Sequence, residues 1–176
     1  LGLAVPLVVA RSTALAAQNG LLIRNRNAME DVKHLKFALM DKTGTLTMGH
    51  FQVNHLISLD QDYSEETILR LLASLESGSS HPLATGILSA AKAQQIAYTA
   101  ATDTHQETGM GQFGTIDGVT YGVVAVSYLE QHHLTYDQAQ FKTLAAEGNS
   151  LSYLVTGDRV LGLVAEGDQI KPNAQH

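Results

Sequence analysis

The 176-residue sequence contains no cysteine. That excludes a disulfide framework and any thiolate metal site within these residues, and it fits a reducing compartment. Positive charge is scarce as well. Eleven Lys and Arg stand against 17 Asp and Glu, a formal net charge of -6, and there is no basic cluster. Nucleic acid is therefore excluded as a partner, because its phosphates need a cationic surface. Long hydrophobic runs are missing too. The apolar stretch from Leu1 to Ala17 is broken by Pro6 and Arg11, whereas a membrane span needs about 20 residues. This stretch lacks the basic start and later cleavage site of a signal peptide. It reads as the tail of a longer hydrophobic helix. The run Ile170-Lys171-Pro172-Asn173-Ala174-Gln175-His176 stops without a closing element, so the expectation is a piece of a larger protein. No internal repeat or low-complexity segment is present.

Hydrophobic residues make up 44% of the chain, enough to build a packed core. Against this background one string stands out: Asp41-Lys42-Thr43-Gly44-Thr45-Leu46-Thr47, preceded by the short apolar run Phe37-Ala38-Leu39-Met40. Read together they predict a buried strand ending in a carboxylate and a Gly/Thr turn. Open α/β sheets present reactive groups beyond the carboxyl ends of their strands, and turn amides aimed one way form a nest for phosphate oxygens. Asp41 in that position is a candidate nucleophile toward phosphorus, giving an acyl phosphate.

The rest of the chain alternates helix and strand signals. Gly20 is placed to cap an opening helix, and Arg24 and Arg26 follow it, as basic residues do on the cytoplasmic side of a membrane helix. Residues Asn27 to Lys33 predict a short connecting helix. Val53 to Leu59 predicts a strand. Ser64-Glu65-Glu66 starts an amphipathic helix through Leu75, and Ser79-Ser80-His81-Pro82 opens another that runs to about Gln95. From Tyr98 onward the pattern is strand and turn, with Asp117-Gly118 as a hairpin signal. Gln131 to Glu147 predicts a helix. Leu151 to Thr156 and Val160 to Ala165 predict two strands joined at Gly157-Asp158. Together these make an α+β unit with antiparallel strands.

Three further motifs carry chemistry. Glu76 lies five residues before His81 in Ser79-Ser80-His81-Pro82-Leu83-Ala84. A carboxylate accepts from an adenine amino group and repels a carbonyl there, and an imidazole at a helix start offers a flat ring for stacking on a base. Gly109 and Gly111 let backbone approach a ribose or phosphate with no Cβ in the way. Gly167-Asp168-Gln169-Ile170-Lys171-Pro172 closes the set. His132-His133 is a poor chelate, since adjacent side chains on a helix point apart. Thr156-Gly157-Asp158 reads as a hairpin turn.

These motifs, in their order and spacing from Asp41, resemble those of the P-type ATPases, and specifically the heavy-metal transporting branch. The opening segment, Leu1 through Ile23, is similar to that of copper transporters of the Cys-Pro-His type. The resemblance covers essentially the whole chain. It implies a mixed α/β and α+β fold. In that fold, a partial haloacid-dehalogenase-like phosphorylation domain with a parallel sheet receives an inserted nucleotide-binding domain with an antiparallel sheet. The implied segments are 1–19 for the end of a transmembrane helix, 20–48 for the first part of the phosphorylation domain, 49–163 for the nucleotide-binding domain and 164–176 for the return.

By the same resemblance, Asp41, Lys42, Thr43 and Thr45 are catalytic, and Glu76, His81, Gly109, Gly111 and Asp168 bind the cofactor. Asp41 and the Thr43 carbonyl hold Mg²⁺. ATP is the cofactor, and a copper ion is the cargo, bound elsewhere in the protein. Implied partners are the membrane and a copper chaperone, with this segment facing the cytoplasm from the plasma membrane. Related phosphatases carry a second Asp where this chain has Thr43. A hydroxyl is a poor general base at neutral pH, which would let an acyl phosphate persist. The family's later Thr-Gly-Asp and Gly-Asp-Gly-x-Asn-Asp motifs are not among these residues, so the segment alone is expected to bind nucleotide but phosphorylate poorly. A phosphatase of the same superfamily, and a nucleotide-binding module without chemistry, are the alternatives.

Overall fold

The computed structural model describes residues 4–25, 34–37, 39–171 and 174. The chain divides into two compact units, Leu1–Met40 and Asp41–His176. In the first, helix α1 covers Ala4–Gln18. It ends as the sequence predicts. Gly20 adopts φ +80°, its N–H donates to the Ala17 carbonyl at 3.1 Å, and Leu21 N–H donates to Ala16 at 2.9 Å. This is a Schellman closure, which satisfies carbonyls that the helix itself leaves open. Among the described residues no helix is long and apolar enough to cross a membrane. The connecting helix expected over Asn27 to Lys33 lies outside the described residues.

Of the strand expected over Phe37 to Met40, Ala38 lies outside the described residues, and the described ones form no strand. Phe37, Leu39 and Met40 have no regular structure and are exposed. A strand exists only through hydrogen bonds to neighbours, and no described residue pairs with this segment.

The second unit is built on one six-stranded sheet. Its strands are β1 (Thr47–Ser58), β2 (Thr102–Glu107), β3 (Gly111–Ile116), β4 (Val119–Val124), β5 (Ser150–Thr156) and β6 (Arg159–Ile170). Their order is β1-β6-β5-β4-β3-β2, and every neighbouring pair is antiparallel. The antiparallel α+β expectation is met here; no parallel pair forms among the described residues. The β3–β4 hairpin turns on Asp117 (φ 51°) and Gly118 (φ 79°), the two positive φ values that a type I′ turn requires. Strand β6 runs well past Ala165 and stays paired with β1 as far as Thr47↔Ile170.

Four helices cover the sheet. Helix α2 (Glu65–Glu76) starts where Ser64 accepts a hydrogen bond from Thr67 N–H, and α3 follows at Pro82–Ala93. Both pack on one face, where Ile68, Leu72 and Ile87 meet Leu154, Leu161 and Val164. The helix expected over Gln131 to Glu147 starts only at Gln138, as α5 (Gln138–Ala146), and a separate helix, α4 (Val126–Gln131), precedes it. The break follows from local chemistry. His133 turns to φ 56°, and Asp137 caps a new helix by accepting from Ala139 and Gln140 N–H. These helices bury Leu129 and Leu144 on the opposite face, against Tyr153, Val155 and Leu163.

Strand β6 carries a bulge. Val155 pairs with Val160 but Leu154 pairs with Gly162, so Leu161 is an extra residue. Leu161 and Gly162 therefore both face α2 and α3. At Gly162 the fit is tight, because a Cβ there would meet Ile68 Cδ1 at 2.7 Å and Cγ2 at 2.9 Å. Gly162→Ala is expected to destabilise the chain by about 1–3 kcal/mol through overpacking. Urea unfolding measures this, and an unchanged midpoint would show that the helix layer gives way freely.

Candidate functional site

Asp41 is exposed, at the start of the second unit. After it, Lys42–Leu46 forms a single π-helical turn, with Gly44 at φ +77°. Thr45 is exposed; the side chains of Lys42 and Thr43 lie outside the described residues. The turn is held from the far end of the chain. Asp168 accepts hydrogen bonds from the Thr47 hydroxyl, from Gly49 N–H at 3.2 Å and from His50 N–H at 3.1 Å. Lys171 Nζ donates to the Gly44 carbonyl at 2.6 Å, and Lys171 N–H donates to Leu46 at 2.9 Å. Asp168, expected among the cofactor ligands, is thus occupied with the start of β1, just after this turn, and is not among the residues lining the larger cavity.

That cavity, of about 880 Å³, lies elsewhere in the same unit. It is within the usual size for small-molecule sites. Four of the residues singled out in the sequence line it: Glu76, His81, Gly109 and Gly111. They come from the end of α2, the start of α3 and the β2–β3 connection. His81, rather than a serine, is the N-cap of α3, with Pro82 at the first helical position. Its Nδ1 accepts from Leu83 N–H at 3.2 Å. The ring is fixed by the cap and remains exposed.

Gly109, at φ +75°, has nothing within 4 Å of an added Cβ. Gly111 is different. A Cβ there would strike the Val123 carbonyl and Val124 Cα, so the close approach it permits is to strand β4. His105 also lines the cavity, with its ring stacked 5.5 Å from that of Phe113. Among the described residues no group of acids and histidines could hold a metal ion by itself. His132 instead stacks on Tyr128, 4.1 Å away.

The electrostatics centre on two acids. Burial raises the Glu76 carboxyl above its ordinary range, partly offset by the Ser79 hydroxyl and by His81. Glu166, on β6, is 1% exposed and also lines the cavity. Burial, reinforced by the Glu76 charge, pushes it up to about 8. The sequence reading missed Glu166. Its signal was present: a lone acid at the end of the apolar run Leu161-Gly162-Leu163-Val164-Ala165.

The titration of Glu166 has a direct consequence for stability. Below its ordinary 4.5, folded and unfolded chains both carry the proton; up to about 8 only the folded chain does; above that neither does. The folded state therefore loses stability as pH rises across this window. The wild-type urea midpoint is expected to fall from pH 5 to pH 8 more steeply than that of Glu166→Gln, which cannot ionise. Parallel pH profiles would contradict this.

The family model for haloacid dehalogenase-like hydrolases matches residues 35–176. A probable copper-transporting P-type ATPase B of Staphylococcus aureus is 50% identical over 99% of this chain, which covers 26% of that protein. A copper-exporting P-type ATPase B of Enterococcus hirae is 42% identical over 99% of the chain and 24% of its own length. This chain thus spans about a quarter of each of these relatives. Among solved structures, a zinc-transporting PIB-type ATPase in its E2·Pi state superposes with a TM-score of 0.73. It is 28% identical, over 94% of this chain and 27% of that one. The chain belongs to the haloacid dehalogenase-like hydrolases, and it matches the nucleotide-binding and phosphorylation region of the copper-transporting P-type ATPases within them.

Proposed function

We propose that this chain forms the ATP-binding and phosphate-accepting part of a membrane pump that exports copper. The observation that carries this reading is the cavity in which Glu76, His81, Gly109 and Gly111 converge, in a unit that also presents an exposed Asp41. The adenine lies against the His81 ring, with its amino group donating to Glu76. Gly109 leaves open space for ribose and phosphates. Asp41 attacks the γ-phosphorus. A carboxylate oxygen–phosphorus bond forms, the bond to the β-phosphate oxygen breaks, and ADP departs. Water later cleaves the acyl phosphate, slowly, because Thr43 supplies no general base. Positioning and charge neutralisation carry most of such a transfer. Lys42 and the Thr45 hydroxyl are assigned to stabilising the transferred group.

The donors available for a cation near Asp41 are hard oxygens, its carboxylate and the Thr43 carbonyl. They suit Mg²⁺, which takes one or two carboxylates and completes its shell with phosphate and water. When bound, Mg²⁺ neutralises charge on the phosphate oxygens. Asp168 and Lys171 act through the turn, holding Gly44, Leu46, Thr47, Gly49 and His50 in place.

The inserted nucleotide-binding domain is best bounded by the paired crossing strands, at Thr47 and Ile170, rather than at 49 and 163. Two crossings side by side suit a hinge that brings nucleotide to Asp41. In the whole protein this region faces the cytoplasm from the plasma membrane, and a chaperone is the expected source of the copper ion.

Two expected outcomes test the reading. His81→Ala and His81→Asn both remove the stacking ring, and each is expected to weaken ATP binding by calorimetry roughly 10- to 100-fold. Asn retains a capping oxygen, so only the Ala variant is expected to lose stability, by about 1 kcal/mol. Unchanged affinity in both would remove His81 from the site. In the full-length pump, Asp41→Asn is expected to abolish a hydroxylamine-sensitive phosphoprotein; surviving label would mean another acceptor.

A further inference from the structure

Among the described residues, Glu166 Oε1 is a buried side-chain oxygen with no hydrogen-bond partner. Native structures rarely leave such atoms unmet, and an exception in a cavity points to a missing partner. The surroundings accommodate this acid specifically. Gly86 of α3 faces it, and any Cβ at that position would collide with Oε1. Glu166 also shares the cavity lining with Glu76, which receives the Ser79 hydroxyl. The two carboxyls are not bonded to each other, although their charges interact.

We propose that Glu166 is a second base-reading residue of this cavity, its carboxyl O–H donating to an adenine ring nitrogen beside the amino group that Glu76 receives. The inference rests on the nucleotide reading of the cavity. Two nearby carboxylates cannot both be charged at low cost, so one keeps its proton. Glu166, with the more buried side chain and raised to about 8, is the one that keeps it near neutral pH. A protonated carboxyl donates and an ionised one accepts. Adenine presents the complement: the 6-amino group donates, and both ring nitrogens flanking it, N1 and N7, accept. Guanine places a carbonyl where the Glu76 carboxylate expects a donor.

The test is calorimetry of the chain at pH 6.5 with ATP, GTP, 1-deaza-ATP and 7-deaza-ATP. Wild type is expected to bind one of the two deaza analogues roughly 5- to 10-fold more weakly than ATP. Glu166→Gln, whose amide also donates, is expected to keep that discrimination. Glu166→Leu is expected to lose it, binding ATP and that analogue alike, with an unfolding midpoint no lower than that of wild type. Wild type binding both analogues as tightly as ATP overturns the inference, since no ring nitrogen is then read. Retention of ATP affinity and analogue discrimination by Glu166→Leu also overturns it, leaving a buried acid satisfied by water. Either result leaves the nucleotide site intact, whereas failure of the wild-type chain to bind ATP overturns the site and this inference together.

Discussion

The second unit depends on the joining of its first strand to its last. Strands β1 and β6 are each 12 residues long and pair from Ser58↔Gly162 to Thr47↔Ile170, although more than 100 residues separate them in sequence. Closing so long a loop costs entropy before any contact compensates it. At the open end of the ladder, Asp168 bonds to Thr47, Gly49 and His50 at the start of β1, and Lys171 bonds to the turn that follows Asp41. The conformation of that turn is therefore set by residues near the far end of the chain, and its single glycine at φ +77° is held by a lysine 127 positions away. The same clasp makes the start of β1 and the end of β6 immediate neighbours.

Acids are treated in opposite ways in this molecule. Asp41 is left to solvent, where a carboxylate stays available for reaction. Glu76 and Glu166 are drawn into a cavity where burial resists charge. Desolvation with a like-charged neighbour separates proton affinities, and this gives chemically identical side chains different hydrogen-bonding roles. His81 adds a third constraint. Its cap bond to Leu83 fixes the ring orientation, so the ring's placement is organised by the start of a helix.

Much of this was legible in the sequence because the signals were local. Ser64 with two acids after it, Asp117-Gly118, and Gly20 after an apolar helix each encode a backbone geometry within four or five residues. Glu76, His81, Gly109 and Gly111 were legible as a set, because their motifs resemble a family, and the structure gathers them into one cavity. What could not be read depended on distant partners. Phe37 to Met40 has strand composition but no described neighbour to pair with. Gln131 to Glu147 has helical composition, yet Asp137 forms a better cap than an interior residue. Gly111 looked like a ligand-facing glycine, and its crowding by Val123 is visible only once β3 and β4 are paired. Glu166 drew no attention because its meaning depends on which side of the sheet it occupies.

That side is decided five residues upstream, by the bulge at Leu161. Val160 packs toward α4 and α5, and the doubled step of Leu161 and Gly162 then resets the alternation. Without that hitch in the ladder, every later odd and even position of β6 would trade places, and the carboxyl of Glu166 would emerge on the opposite surface, away from the cavity that it lines. A one-residue irregularity in a hairpin thus governs the chemistry of a chamber that it does not touch.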